Sequence, residues 1–268
     1  MLQLYAAYLV TIGHTSLKQP FAALRDKYKK LPGWSDTRQN MDLKEILVGA
    51  KKLYSKEVKR ANPIRSENVR RVAEYALKKD NHDGLLLAFV VSVAFCGLLR
   101  LGEAVKPQNA ADYDERNYAK RSSFRLTDTT LSFHLPYSRS DNLYKGSEVV
   151  VVKELVPKEI PLFALAKAFI KSRDAWHGSD GLLFARKDGT MLSRSTVIDA
   201  LRAAAGDFSG HSFRSGGATY LAELGLTDLD IQRAGRWNGP SYQLYVRQHP
   251  SILAASRRNA LKAALHRL

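Results

Sequence analysis

The amino-acid sequence predicts a mainly α-helical protein with a small antiparallel β-sheet, built as a small helical domain followed by a larger one. Three observations carry this. Apolar residues recur at helical spacing through the segments between Leu2 and Arg60. The stretch His82–Leu99 is apolar on nearly every face, as a helix at the centre of a larger domain must be. Strand signals are confined to two short segments, Thr130–Pro136, which alternates, and Val149–Val152, which is β-branched throughout.

Taken in order, Leu2–Ile12 carries Leu4, Tyr5, Tyr8 and Leu9 as the expected stripe of a first helix. Leu17–Leu31 puts Phe21, Leu24 and Tyr28 on one face and basic residues on the other. Pro32 to Asp36 has turn chemistry, and a third helix is expected over Leu43–Arg60, striped by Ile46, Leu47, Ala50, Leu53 and Tyr54. Asn62-Pro63-Ile64-Arg65 reads as a linker, because proline disfavours helix in the residue before it. Domains of 1–62 and 63–268 are therefore expected, with Ser66 as the N-cap of a helix through Lys79. Beyond the buried helix, strands are expected at Thr130–Pro136 and Val149–Val152, joined by the polar tract Ser138–Gly146 as a hairpin turn. Leu162–Trp176 reads as helix, Leu182–Ala185 as a short strand and Asp188-Gly189 as a hairpin turn. From Ser193 onward the chain reads as helix in pieces, including an apolar and basic C-terminal segment, Ser251–Leu268.

Charge narrows the function. The 268 residues include 42 Lys plus Arg against 26 Asp plus Glu, a net +16 that suits a polyanion such as nucleic acid. The single cysteine, Cys96, excludes an intrachain disulfide, and points to a reducing compartment and a small core residue. No Cys/His cluster has zinc-ligand spacing, so no structural metal is expected. Leu2–Ile12 lacks the cationic flank of a signal peptide and is too short to cross a bilayer, so no membrane association is expected.

The chemistry-bearing pieces come in a fixed order. The apolar helix ends in Cys96-Gly97-Leu98-Leu99-Arg100-Leu101-Gly102-Glu103. Next come His211-Ser212-Phe213-Arg214, continuing Ser215-Gly216-Gly217-Ala218, then Gly235-Arg236-Trp237-Asn238, and finally Leu244-Tyr245-Val246-Arg247. Singly these have ordinary explanations: Arg100 as a helix C-cap, His211 and Trp237 as core residues, Tyr245 as one of 12 tyrosines. Together they resemble the tyrosine recombinase (phage integrase) family, over Pro63 to about Gln248. That family's pattern is an Arg with a Glu three residues on, His-x-x-Arg, Gly-x-His/Trp and a nucleophilic Tyr. The Gly-Arg-Trp followed by Tyr-x-Arg, with eight residues from Trp237 to Tyr245, resembles Crypton-like and DIRS-like mobile-element enzymes.

The resemblance implies a helical core-binding domain, shortened or truncated at its start, and a catalytic domain that together clamp duplex DNA. It implies cleavage and rejoining of DNA for integration or excision of a mobile element, by a tetramer with a dimer on each site and no metal or nucleotide cofactor. The location implied is intracellular with the DNA, nuclear in a eukaryotic host. Arg100 and Arg214 would clamp the phosphate's non-bridging oxygens and neutralise the charge that grows in the transition state. Tyr245 would attack phosphorus, leaving a 3′-phosphotyrosyl bond and a 5′-hydroxyl. His211 would take the phenol's proton, Trp237 would pack behind the nucleophile and donate through its indole, and Glu103 would hold Arg100. The family's hairpin Lys has no plain counterpart. Ser138-Arg139-Ser140-Asp141 resembles the Ser-Lys-Thr-Asp of many relatives and puts Arg139 in that slot. Lys145, near the turn, is the alternative, because a guanidinium is a poor proton donor. Two other readings stay open: a catalytically silent DNA-binding descendant, and a type IB topoisomerase-like enzyme.

Overall fold

The structure is a computed structural model, and it describes residues 2–12, 18–30, 45–46, 48–49, 63–137, 146–239 and 242–243. The chain divides into two compact units, Met1–Arg60 and Ala61–Leu268. In the first, α1 (Leu2–Thr11) and α2 (Lys18–Tyr28) are joined by an edge-on pair of Tyr5 and Phe21, ring centroids 6.0 Å apart. The expected α1 stripe is corrected: Leu9 and Ala6 are buried, while Leu4 and Tyr8 face solvent. A short helix apolar on most sides has no periodicity strong enough to choose its buried face. The third expected helix lies largely outside the described residues.

The second unit is built on α4 (His82–Cys96), preceded by α3 (Ser66–Leu77). Every α4 residue from Leu86 to Phe95 is buried, which explains its all-round apolar composition. Asn81 caps its start, its side chain accepting from the Gly84 amide at 2.8 Å. Buried His82 is held between Ser172 Oγ and the Ala185 carbonyl, each 2.9 Å away. For α3 the expected N-cap is corrected. Ser66 is already helical, and Arg65 is the cap residue without a side-chain bond. The start is set instead by the tertiary bond from the Ile64 amide to the Ser212 carbonyl, 3.3 Å.

The sheet has the order β1-β2-β3 and is antiparallel: β1 (Arg125–Leu126), β2 (Thr130–Leu135) and β3 (Ser147–Val152). Its register sets Leu131 opposite Val151 and Phe133 opposite Val149, all four buried, while Val150 and Val152 face outward. Four helices follow: α5 (Leu162–His177), α6 (Arg194–Ala204), α7 (Ser212–Glu223) and α8 (Asp228–Ala234). Phe89 of α4 stacks on Phe169 of α5 at 5.0 Å, and Phe133 of β2 meets Phe184 edge-on at 5.6 Å. These contacts join helices and sheet into one core, each buried ring contributing roughly 2–3 kcal/mol. Cys96 is half-buried at the edge of this core.

The expected strand at Leu182–Ala185 does not form. Leu182 makes only an isolated bridge to Lys120. Its carbonyl accepts from the fully buried Arg173 of α5, at 3.0 Å from Nε and 2.9 Å from Nη2. That guanidinium also binds the carbonyls of Gly178 and Asp180, so it organises the loop that a strand partner would otherwise hold. Asp188-Gly189 does turn the chain, with Gly189 at φ +81°, but the expected hairpin is absent because no strand precedes it.

Candidate active site

The site grows from the way α4 stops. Gly97 is the C-cap and Leu98 takes a left-handed φ of +51°, which costs a non-glycine residue roughly 1 kcal/mol or more. Arg100 is then extended, and Leu101–Glu103 makes one 3-10 turn. The carbonyls at the end of an α-helix lack intrahelical partners and carry the negative end of its dipole, so cations gather there. Arg214 Nη1 donates to the Leu98 carbonyl at 2.6 Å, and Arg236 Nη2 donates to the same oxygen at 3.1 Å. Arg236 Nη1 takes the Gly97 carbonyl at 3.0 Å.

Arg100 itself pairs with Glu103, Nη1 to Oε1 at 3.1 Å, and its amide donates to Glu103 Oε2 at 2.9 Å. That buried carboxylate also accepts from Arg236 Nη2 at 3.2 Å. One carboxylate therefore faces two guanidiniums. Arg236 is left-handed too, at φ +56°, and burial holds its pKa below the ordinary arginine value, an effect that Glu103 offsets only in part.

Arg214 lies on α7 and is 1% exposed. Besides the Leu98 carbonyl it bonds to the Gly235 carbonyl, and its guanidinium sits 4.0 Å over the Trp237 ring. A desolvated cation–π contact of this kind is worth about 2 kcal/mol. The helix comes this close because Gly217 faces α4: a methyl there would lie 2.2 Å from the Phe95 carbonyl oxygen. Gly235 is required for a related reason. A side chain on it would start 1.5 Å from the Trp237 ring, which folds back over it.

His211 is the cap residue of α7 and is exposed on one side. Protein crowding on its other side, then the charges of Arg214, Arg100 and Arg194, hold its pKa below the ordinary value. Arg194 opens α6. A side chain at Gly210 would meet Leu101 Cδ2 at 2.6 Å and Arg194 Nη2 at 3.2 Å, so the turn after Arg100 and this guanidinium both lie against the residue before His211.

The structure thus brings together Arg100, Glu103, His211, Arg214 and Trp237. Tyr245, Arg139 and Lys145 lie outside the described residues. Tyr242 belongs to a second small core with Leu98, Ala218, Leu221 and Trp237; its ring is 5% exposed and 6.0 Å from that of Trp237. Valines 149 and 151 of β3 pack on Gly97, so the hairpin strands that lead to 138–145 rise beside the end of α4. Two residues escaped the sequence reading. Arg236 was legible only as the middle of Gly-Arg-Trp, and Arg194 only as a basic residue after the helix cap Ser193.

A mainly helical unit with a three-stranded antiparallel sheet and this cluster at the end of its central helix has the tyrosine-recombinase fold. The structure is similar to that of XerA recombinase, with TM-score 0.50 and 16% identity over 91% of this chain and 82% of that one. It is similar to XerH site-specific recombinase bound to difH substrate in a pre-cleavage complex, at TM-score 0.50 and 16% identity over 90% and 70%. The post-cleavage complex of XerH with palindromic difH substrate matches at TM-score 0.50 and 13% identity over 89% and 70%. At these identities the likeness is one of fold. No family model matches the sequence, and no curated protein matches it significantly.

Proposed function

We propose that this chain is a site-specific DNA recombinase that cleaves and rejoins duplex DNA through a covalent 3′-phosphotyrosyl bond at Tyr245. The observation that carries the reading is the gathering of Arg100, Arg214, His211 and Trp237 around the end of α4, with one buried carboxylate, Glu103, among the surrounding guanidiniums. Such a cluster holds surplus positive charge and is receptive to an anion. A phosphodiester supplies one, and two guanidiniums clamp its non-bridging oxygens as charge develops on them.

In the reaction the phenol oxygen of Tyr245 forms a bond to phosphorus as the bond from phosphorus to the 5′-oxygen breaks. The depressed pKa of His211 keeps its imidazole neutral near physiological pH, the form that accepts the phenol's proton. The departing 5′-oxygen takes a proton from the hairpin, from Lys145 in preference to Arg139. Glu103 keeps the Arg100 fork aimed, and Trp237 fixes the plane of Arg214 from below. Rejoining runs the same steps backwards.

Net charge of +16 supports binding of duplex DNA by both the 1–62 and 63–268 regions, mainly through phosphates. Exchange between two sites needs a dimer on each and a tetramer overall, and integration or excision of a mobile element is the role we assign. No described helix is long and apolar enough to cross a membrane.

The test is trapping on nicked suicide DNA followed by denaturing electrophoresis. A covalent adduct is expected with the wild-type chain and with Tyr242→Phe, and none with Tyr245→Phe, whose DNA affinity stays nearly unchanged. An adduct from Tyr245→Phe places the nucleophile elsewhere; none from the wild type removes the reading.

A further inference from the structure

Two candidate catalytic arginines reach the site on separate segments: Arg100 just after α4 and Arg214 on α7. The bonds described above leave one side chain touching the supports of both. Arg236 Nη2 shares the Leu98 carbonyl with Arg214 and shares the Glu103 carboxylate with Arg100. Its Nη1 adds the Gly97 carbonyl, and its side chain is 8% exposed.

We propose that Arg236 is a positioning residue that locks the Arg100–Glu103 pair to the Arg214–Trp237 pair, fixing the spacing of the two guanidiniums that receive the scissile phosphate. The proposal rests on the strand-transfer reading of the same site.

The backbone argues that the guanidinium is there for a purpose. Arg236 follows the Gly235 cap of α8 at φ +56°, the left-handed position where helices usually place glycine. A glycine would fit this turn without strain, so a side chain here must return something through its contacts. Besides a local bond from Nη1 to the Ala234 carbonyl at 3.2 Å, its contacts are long-range: Arg236 reaches the Gly97 and Leu98 carbonyls across 139 and 138 residues of chain, and Glu103 across 133. Lysine does not substitute, because an ammonium on a single stem lacks the planar fork that spans two carbonyls and a carboxylate. The arrangement also makes Arg236 the neighbour of Trp237, so the segment that supplies the stacking ring supplies the brace as well. With both Glu103 oxygens engaged, Arg100 cannot swing toward solvent without breaking the shared carboxylate network.

The experiment compares the wild type, Arg236→Met, Arg236→Lys and Arg100→Ala in single-turnover cleavage of nicked suicide DNA at saturating protein. Each is measured on ordinary DNA and on DNA with a neutral methylphosphonate at the scissile position, which lacks the charge that Arg100 would neutralise. Misplacing a reacting group by about 1 Å costs on the order of 100-fold, so Arg236→Met should cleave ordinary DNA about 100-fold more slowly, with binding changed by less than about twofold. Arg236→Lys should show a smaller defect of the same kind. On the methylphosphonate both defects should shrink to within about tenfold of wild type, as for Arg100→Ala, because a misaimed Arg100 matters little when there is no charge to neutralise. An unchanged rate, an equal loss on both substrates, or a loss of DNA affinity would each overturn the positioning role.

If the wild type forms no Tyr245-dependent adduct, the strand-transfer reading fails, and the brace is decided in the free protein instead. There a double-mutant cycle of Arg236→Lys with Glu103→Gln in urea unfolding should give a coupling of about tenfold in the unfolding constant. Additive effects would show that the brace does not exist.

Discussion

Gly217→Ala separates the geometry of the site from the stability of the fold. A methyl group at this position starts 2.2 Å from the Phe95 carbonyl oxygen and 2.5 Å from Leu98 Cδ2. A carbon-to-oxygen contact needs about 3.3 Å, so α7 must move away from α4 by about 1 Å. The main-chain carbonyl cannot yield, since it belongs to the buried helix around which the core is packed. Overpacking of this kind costs about 1–3 kcal/mol, and replacing a mid-helix glycine with alanine returns about 1 kcal/mol, leaving a net loss of about 1 kcal/mol. The chemical loss should be far larger. Arg214, three residues upstream on α7, would shift by a similar distance from the Leu98 carbonyl, and about 1 Å at a catalytic group costs on the order of 100-fold in rate. Urea unfolding reads the first quantity, and single-turnover adduct formation at saturating DNA reads the second. A variant more stable than wild type by the helix-propensity gain, with undiminished cleavage, would refute the close approach of α7 to α4.

Three further outcomes follow from the same site. On DNA whose bridging 5′-oxygen is replaced by sulfur, a leaving group that needs no proton, Lys145→Ala should be largely rescued and Arg139→Ala should not; the reverse pattern exchanges their roles. The cleavage rate should rise with pH through the His211 pKa, with its acid limb below the ordinary imidazole value of about 6.5, and Arg194→Ala should move that limb to higher pH by removing a nearby positive charge. A limb that stays put on that substitution would detach Arg194 from His211. DNA affinity should fall roughly a thousandfold between about 50 and about 200 mM salt if about six phosphates are contacted, and a flat response would contradict phosphate-dominated binding.

What could be read from the sequence and what could not divides along the range of the interactions involved. His211 and Arg214 lie one helical turn apart, so His-x-x-Arg places both at the same end of one helix whatever the rest of the chain does. The apolar run of α4 announced a buried helix, period-two alternation announced β2, and the β-branched run Val149–Val152 announced β3. Charge surplus and the order of the motifs pointed to a polyanion and to the recombinase fold. All of this is carried by composition or by spacing within one element.

The tertiary structure decided the rest. Local pattern marks Leu182–Ala185 as a strand, but the Leu182 carbonyl is taken by Arg173 from inside the core, and no strand forms. Local pattern offers α1 several faces to bury, and the fold buries Ala6 and Leu9. Above all, the sharing of the Leu98 carbonyl by Arg214 and Arg236 joins residues 116 and 138 positions apart in the chain. No periodicity records such a bond. It exists because the chain turns left-handed at Leu98, just past the negative end of α4, and packing delivers two guanidiniums to that carbonyl, so the contacts of Arg236 become visible only when the helices are assembled.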